Sequence, residues 1–122
     1  MYQNAAFLLK SMDKDISLKV TEYVQTNFPD RTSDFHKCTR DLCYILDSLV
    51  YCLKDGNLNP AESIAEMFYT RGNLALKSTV VEFFAYDHML KLIKENLVDV
   101  EDGAVDHCIA AIGIIKNRLS ND

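Results

Sequence analysis

Cys38, Cys43, Cys52 and Cys108, with His36, His88 and His107, are the side chains here best suited to serve as nucleophiles, bases or metal ligands. Spacing decides among those roles. Metal ligands on a helix sit three or four residues apart, or form a Cys-x-x-Cys pair. The first three cysteines are five and nine residues apart, and no His-x-x-x-His pair occurs. On one helix Cys38 and Cys52 would stand about 21 Å apart at 1.5 Å per residue, beyond the reach of a disulfide. The opening MYQNAAFLLKSMDKD has no basic stretch ahead of its short apolar run, so no secretion signal is expected. A reducing compartment, free thiols acting as small apolar residues, and no metal are therefore expected.

The remaining chemistry-bearing groups fail on geometry. In Tyr86-Asp87-His88 an acid and a base are adjacent, but neighbouring helix residues point about 100° apart, so Asp87 and His88 do not face each other. His107-Cys108 fails as a base–nucleophile pair for the same reason. Asp99, Glu101 and Asp102 read as solvated carboxylates of a turn, with nothing apolar beside them to raise a pKa. No Gly-x-Gly-x-x-Gly, phosphate loop or Gly-x-Ser-x-Gly is present. No catalytic residue and no cofactor are assigned, and a non-enzyme is expected.

These residues must be carried by some framework. The 122 residues suit one domain, 1–122, large enough to bury a core without staples. The chain is 48% hydrophobic and 25% charged, with 4 Gly and 2 Pro, which excludes disorder and low-complexity classes. A net charge of -5 argues against a phosphate-binding partner, so no nucleic acid is expected. The six tyrosines are scattered packers, not a base-stacking platform. No 18-residue apolar run exists, so no membrane span is expected.

Helical periodicity runs throughout. Residues 2–11 form a short apolar helix, and 14–28 place Ile16, Val20, Tyr23 and Val24 on one face before Phe28-Pro29 stops them. Thr32, Ser33 and Asp34 are candidate N-caps. The strongest stripe is Phe35, Cys38, Leu42, Ile45, Leu49 and Cys52/Leu53, ended by Gly56. Asn59-Pro60 opens a fourth helix with Ile64, Met67 and Phe68 inward and Gly72-Asn73 at its close. Residues 75–98 carry two apolar faces, Leu76/Val80/Phe83/Leu90/Ile93/Leu97 and Val81/Ala85/Met89/Leu92, which marks this helix as the central element. The last helix, 104–119, buries Val105, Cys108, Ile109, Ile112, Ile115 and Leu119. The expected fold is all-α, a bundle of five or six helices.

One polar cluster lies on the strongest helix. Arg40, Tyr44 and Asp47 share a face, and Asp41 and Tyr44 are three apart. The cluster reads either as an exposed ion-pair face or as a partly buried network locking a second helix or a partner. As a network, Arg40→Ala should cost about 2 kcal/mol and be non-additive with Asp47→Ala.

The stretch Lys37 to Tyr51 also resembles a helical domain repeated in virion structural proteins of contractile-tailed phages, notably those of marine cyanobacteria. Cys38, Arg40, Asp41, Asp47 and Tyr51 match that pattern, and Asp55-Gly56-Asn57 stands at its Gly-Gly-Asn turn. Phe68-Tyr69, Ala85 to Ile93 and Tyr23 to Pro29 match its other helices, so the resemblance covers about residues 5–97. Cys43 stands for a usual Gly and Cys52 for a usual second Asp, which implies a diverged, free-standing copy. The resemblance implies packing and assembly: an oligomer in a virion built in the host cytoplasm, or a cytoplasmic protein. Its partners would be other virion proteins or copies of itself, with Arg40, Asp41, Tyr44, Asp47 and Tyr51 as the interaction or packing network.

A second resemblance is to the chromophore helix of phycobiliproteins. It implies a linear tetrapyrrole held through Cys38, with Arg40 on a propionate and Asp41 on the pyrrole nitrogens. The chain is short for that family's full fold, and Asp47 stands where the family has Arg. A small helical interaction or regulatory protein is the remaining alternative.

Overall fold

The computed structural model describes residues 1–30, 34–71 and 79–120. Its helices are α1 (Gln3–Asn27), α2 (Phe35–Asp55), α3 (Asn59–Arg71), α4 (Thr79–Leu97) and α5 (Ala104–Ser120). No strand occurs among the described residues. The all-α bundle has the expected helix number.

The first two expected helices are one. No Gly or Pro interrupts residues 11–14, and Asp13 is 8% exposed inside the continuous helix α1. Ser17 and Thr21 bond back to the carbonyls of Asp13 and Ser17 at 2.7 and 2.9 Å, so their hydroxyls are satisfied within the helix. Phe28 ends α1 before Pro29, as read from the sequence.

Helix α2 carries the strongest stripe inward. Cys38, Leu42, Ile45, Leu49, Cys52 and Leu53 are all buried, and Phe35 is half-buried. Asp34 is its N-cap, accepting from the Lys37 N–H at 3.1 Å. Thr32 and Ser33 lie outside the described residues. Gly56 closes the helix at φ 71, donating its N–H to the Cys52 carbonyl. A Cβ there would meet the Met1 side chain at 2.9 Å, so both conformation and space favour glycine. The next helix begins one residue earlier than Asn59-Pro60 implied. Asn59 lies inside α3, and the side chain that accepts its N–H is that of Asn57, at 3.0 Å. The expected close at Gly72-Asn73, and Leu76, lie outside the described residues.

The helices form a closed ring in the order α1, α2, α3, α5, α4, with α2 and α5 touching across it. The most connected elements are therefore α2, which meets α1, α3 and α5, and α5, which meets α2, α3 and α4, whereas the main neighbours of α4 are α1 and α5. The two apolar faces of α4 serve those two neighbours. Leu9, Ile16, Leu46, Met89, Ile93, Leu97 and Ile112 are among the core's fully buried side chains. Two residues assigned to stripes face solvent: Val80 and Ile109 are 70% and 47% exposed, while Val81 and Cys108 beside them are buried as expected. Adjacent apolar residues on a helix cannot both point at one neighbour.

Helices α1 and α2 run antiparallel along most of their length. Contacts pair Met1 with Lys54, Lys10 with Asp47, Ser17 with Cys43, and Thr21 with Thr39. That register fixes which α1 residues stand beside the polar face of α2.

Candidate interaction surface

The polar cluster of α2 divides between two sides of the helix. Arg40 is exposed, with Nη2 3.7 Å from Asp41 Oδ1. Asp41 itself is 8% exposed, and its charge reaches Tyr86 of α4. Asp47 goes the other way and accepts from Lys10 Nζ of α1 at 3.0 Å, while the same ammonium holds Asp13 Oδ2 at 3.2 Å. Asp47 and then Asp13 raise the Lys10 pKa by hydrogen bonding and charge. Arg40 and Asp47 thus answer to different partners, because Asp47 finds a lysine across the helix pair. Lys10 carried no signal in sequence beyond its i, i+3 relation to Asp13.

Tyr44, Asp47 and Tyr51 do come together, on the wall of a groove between α2 and α3. The opposite wall is Pro60, Ser63, Ile64 and Met67, and the open groove has a volume of about 650 Å³. Tyr44 and Tyr51 are 43% and 55% exposed, and Ile64 and Met67 are half-buried. Ile64 and Met67 were expected inward. They pack against the core on one side and line this groove on the other, while Ala61, Ala65 and Phe68 fill the buried face of α3. The charged residues lining the groove, Asp47 and Asp55, are acidic, and Lys54 Nζ lies 5.7 Å from the centre of the Tyr51 ring.

The candidate catalytic groups stay apart. Tyr86 is fully buried, Asp87 pairs with Lys116 of α5 at 2.5 Å, and His88 stacks on Tyr23 at 3.8 Å. Burial, and then Lys91, lower the His88 pKa. His107 Nε2 lies 3.0 and 2.9 Å from the carbonyl oxygens of Cys52 and Asn57, so its ring ties α5 to the end of α2. Cys108 faces the core. Glu101 is not a solvated turn carboxylate. Its Oε1 accepts the Ala5 N–H at 2.7 Å and caps the first turn of α1, where Tyr2 supplies no side-chain cap. Ala5 lies 96 residues away, and no local pattern could have announced the pairing.

All four cysteines are free. Cys38 is 1% exposed and its Sγ accepts from the Thr21 hydroxyl at 3.7 Å. Burial pushes its pKa up to about 11, with Glu82 and Asp41 adding to the rise. Cys108 is pushed up to about 12, mainly by burial. For the bilin arrangement Cys38, Arg40 and Asp41 would have to face one ligand. Here Cys38 points into the core and Arg40 points to solvent, as residues two apart on a helix must. Among the described residues no group of three or more candidate metal ligands occurs and no helix is long and apolar enough to cross a membrane.

Compared with known protein families, curated proteins and solved structures, the chain matches none. The reading of its surface therefore rests on geometry.

Proposed function

We propose that this protein is a non-catalytic assembly domain that works through protein–protein contacts, as a structural component of a contractile-tailed phage particle. The observation that carries the proposal is the groove between α2 and α3. Tyr44 and Tyr51 are large, half-exposed and placed two helical turns apart over Ile64 and Met67. Tyrosines of this kind are favoured interface anchors, because they bring large apolar area at little conformational cost. Asp47 and Tyr51, two residues of the motif that resembles the phage domain, lie on this groove. A packed core does not require either of them at the surface. Acidic groove residues and a net charge of -5 fit a protein partner better than a nucleic acid.

The test is mass spectrometry of purified particles, with the parent and with Tyr51→Asp. The parent chain should appear at stoichiometric level, and the variant should be depleted while remaining folded by circular dichroism. Particles that lack the parent chain would refute the assignment. An absorbance spectrum of the natively purified chain with a bilin band would replace it with the pigment-binding alternative.

A further inference from the structure

The proposal of an assembly domain leaves open what the groove receives. We propose that it receives a second copy of this chain, which lays the outer edge of its α1, led by Phe7, against the α2–α3 groove in a twofold dimer. This inference rests on the contact-driven reading above.

Phe7 is 79% exposed, the most exposed phenylalanine or tyrosine side chain among the described residues. It stands one helical turn from Lys10, the residue that reaches Asp47, so it lies on the edge of α1 nearest the outer face of α2. Lys14 and Leu18 continue that edge at intervals of seven and four residues, and both are exposed. The result is a stripe of two apolar and two basic side chains. The neighbouring groove offers the complement, two tyrosines and two aspartates. Lys14 makes no ion pair among the described residues, so its charge remains available to a partner's groove. One face of the molecule therefore carries both halves of a match. That is the requirement for an isologous dimer, in which each copy gives what the other receives.

Symmetry then fixes the register. A twofold axis parallel to the helices exchanges the two edges of the face but leaves heights along the axis unchanged. Within one chain Lys10 is level with Asp47, and Ser17 with Cys43. Phe7 is therefore level with Tyr51, and Lys14 with Tyr44. Across the axis the Phe7 of one copy meets the Tyr51 ring of the other. Lys14 meets Tyr44, with Asp47 one turn away. Aromatic and cation–aromatic pairs at these positions are favourable contacts.

The area is adequate. Helices α1, α2 and α3, of 25, 21 and 13 residues, are about 38, 32 and 20 Å long and about 9 Å apart, and present a face on the order of 800 Å². A standard interface takes about that area from each partner, roughly an eighth of the 6578 Å² surface.

Sedimentation equilibrium of the purified chain up to about 200 µM tests the inference, with a dissociation constant of order 10 µM expected. Phe7→Lys and Tyr51→Glu change exposed side chains and should leave the fold intact by circular dichroism. Each alone should weaken the dimer at least about tenfold. Together they should restore it to within about threefold of the parent, through the new ion pair across the axis. A monomer at every concentration would overturn the inference, and so would a dimer that neither substitution weakens. A monomeric chain that still enters particles, and loses that ability with Tyr51→Asp, would refute self-pairing while leaving the assembly reading in place.

Discussion

Tyr86 is the position where a single atom should decide the sign of a mutation. Its ring is completely buried in α4, and its hydroxyl is a buried polar side-chain atom without a hydrogen-bond partner. The Glu82 carboxylate and Asp41 lie near enough for their charges to act on the phenol. Burial, and then the charge of Glu82, hold the phenol neutral well above its ordinary range. An unsatisfied buried hydroxyl costs about 1–3 kcal/mol. Tyr86→Phe removes that oxygen and keeps the ring's packing. Allowing a few tenths for lost dispersion contacts, the variant should be more stable by about 1 kcal/mol. In a domain of this size that corresponds to a melting temperature about 3–5 °C higher. Tyr86→Ala empties the same site and should cost about 3–5 kcal/mol. Urea unfolding followed by circular dichroism measures both. A loss of about 0.5 kcal/mol or more for Tyr86→Phe would show that the hydroxyl is satisfied in solution, and the reasoning would fail.

Further outcomes follow from the same geometry. In double-mutant cycles Lys10 and Asp47 should couple by about 0.2–1 kcal/mol, an exposed pair. Arg40→Ala should cost no more than about 0.5 kcal/mol and add to Asp47→Ala, in place of the larger, non-additive loss that the motif implied. Glu101→Ala should destabilise by about 1 kcal/mol through the lost cap, with Glu101→Gln retaining most of it; hydrogen exchange at the Ala5 amide is the local readout. A thiol held neutral in the fold supports it at lower pH and opposes it once the pH passes through the folded value. Cys38 titrates at about 11 folded against 9.0 for a free thiol, so about 2–3 kcal/mol of stability should disappear between those values. Cys38→Ala should lose stability more slowly over that range in pH-dependent urea unfolding. Finally, a thiol reagent at neutral pH should label half-buried Cys43 quickly, and Cys38, Cys52 and Cys108 only on unfolding. Rapid labelling of more than one thiol in the folded protein would contradict the burial pattern.

The fold was legible where periodicity was strong. The stripe from Cys38 to Leu53, the Pro29 stop and the Gly56 cap are all local signals, and each marks the feature it implied. Local signals also misled. Residues 12 and 13 stood between two expected helices, yet a buried Asp13 remains within one continuous helix when a lysine one turn earlier and a back-bonded hydroxyl satisfy it and its carbonyl. The rank of α4 as central was read from its apolarity, but the number of neighbours a helix meets depends on topology, which periodicity does not encode. The candidate surface was half legible. Tyr44, Asp47 and Tyr51 could be seen to lie near one another on one helix. The α3 wall opposite them, and the Lys10 that draws Asp47 away from Arg40, arise only from packing.

The bond from Glu101 to the Ala5 amide implies an order of assembly. Bringing together points 96 residues apart costs about 4 kcal/mol in chain entropy, against about 2.5 kcal/mol for the 18 residues separating Thr21 from Thr39. The α1–α2 hairpin should therefore zip outward from its connecting turn, reaching Met1 and Lys54 while the later helices are still unattached. During synthesis the amide of Ala5 then waits for the turn that carries Glu101. Protection of that one amide dates the moment at which the last helix docks. A pulse-labelling experiment that follows it beside the Thr21 amide would separate early pairing from final closure on a single clock.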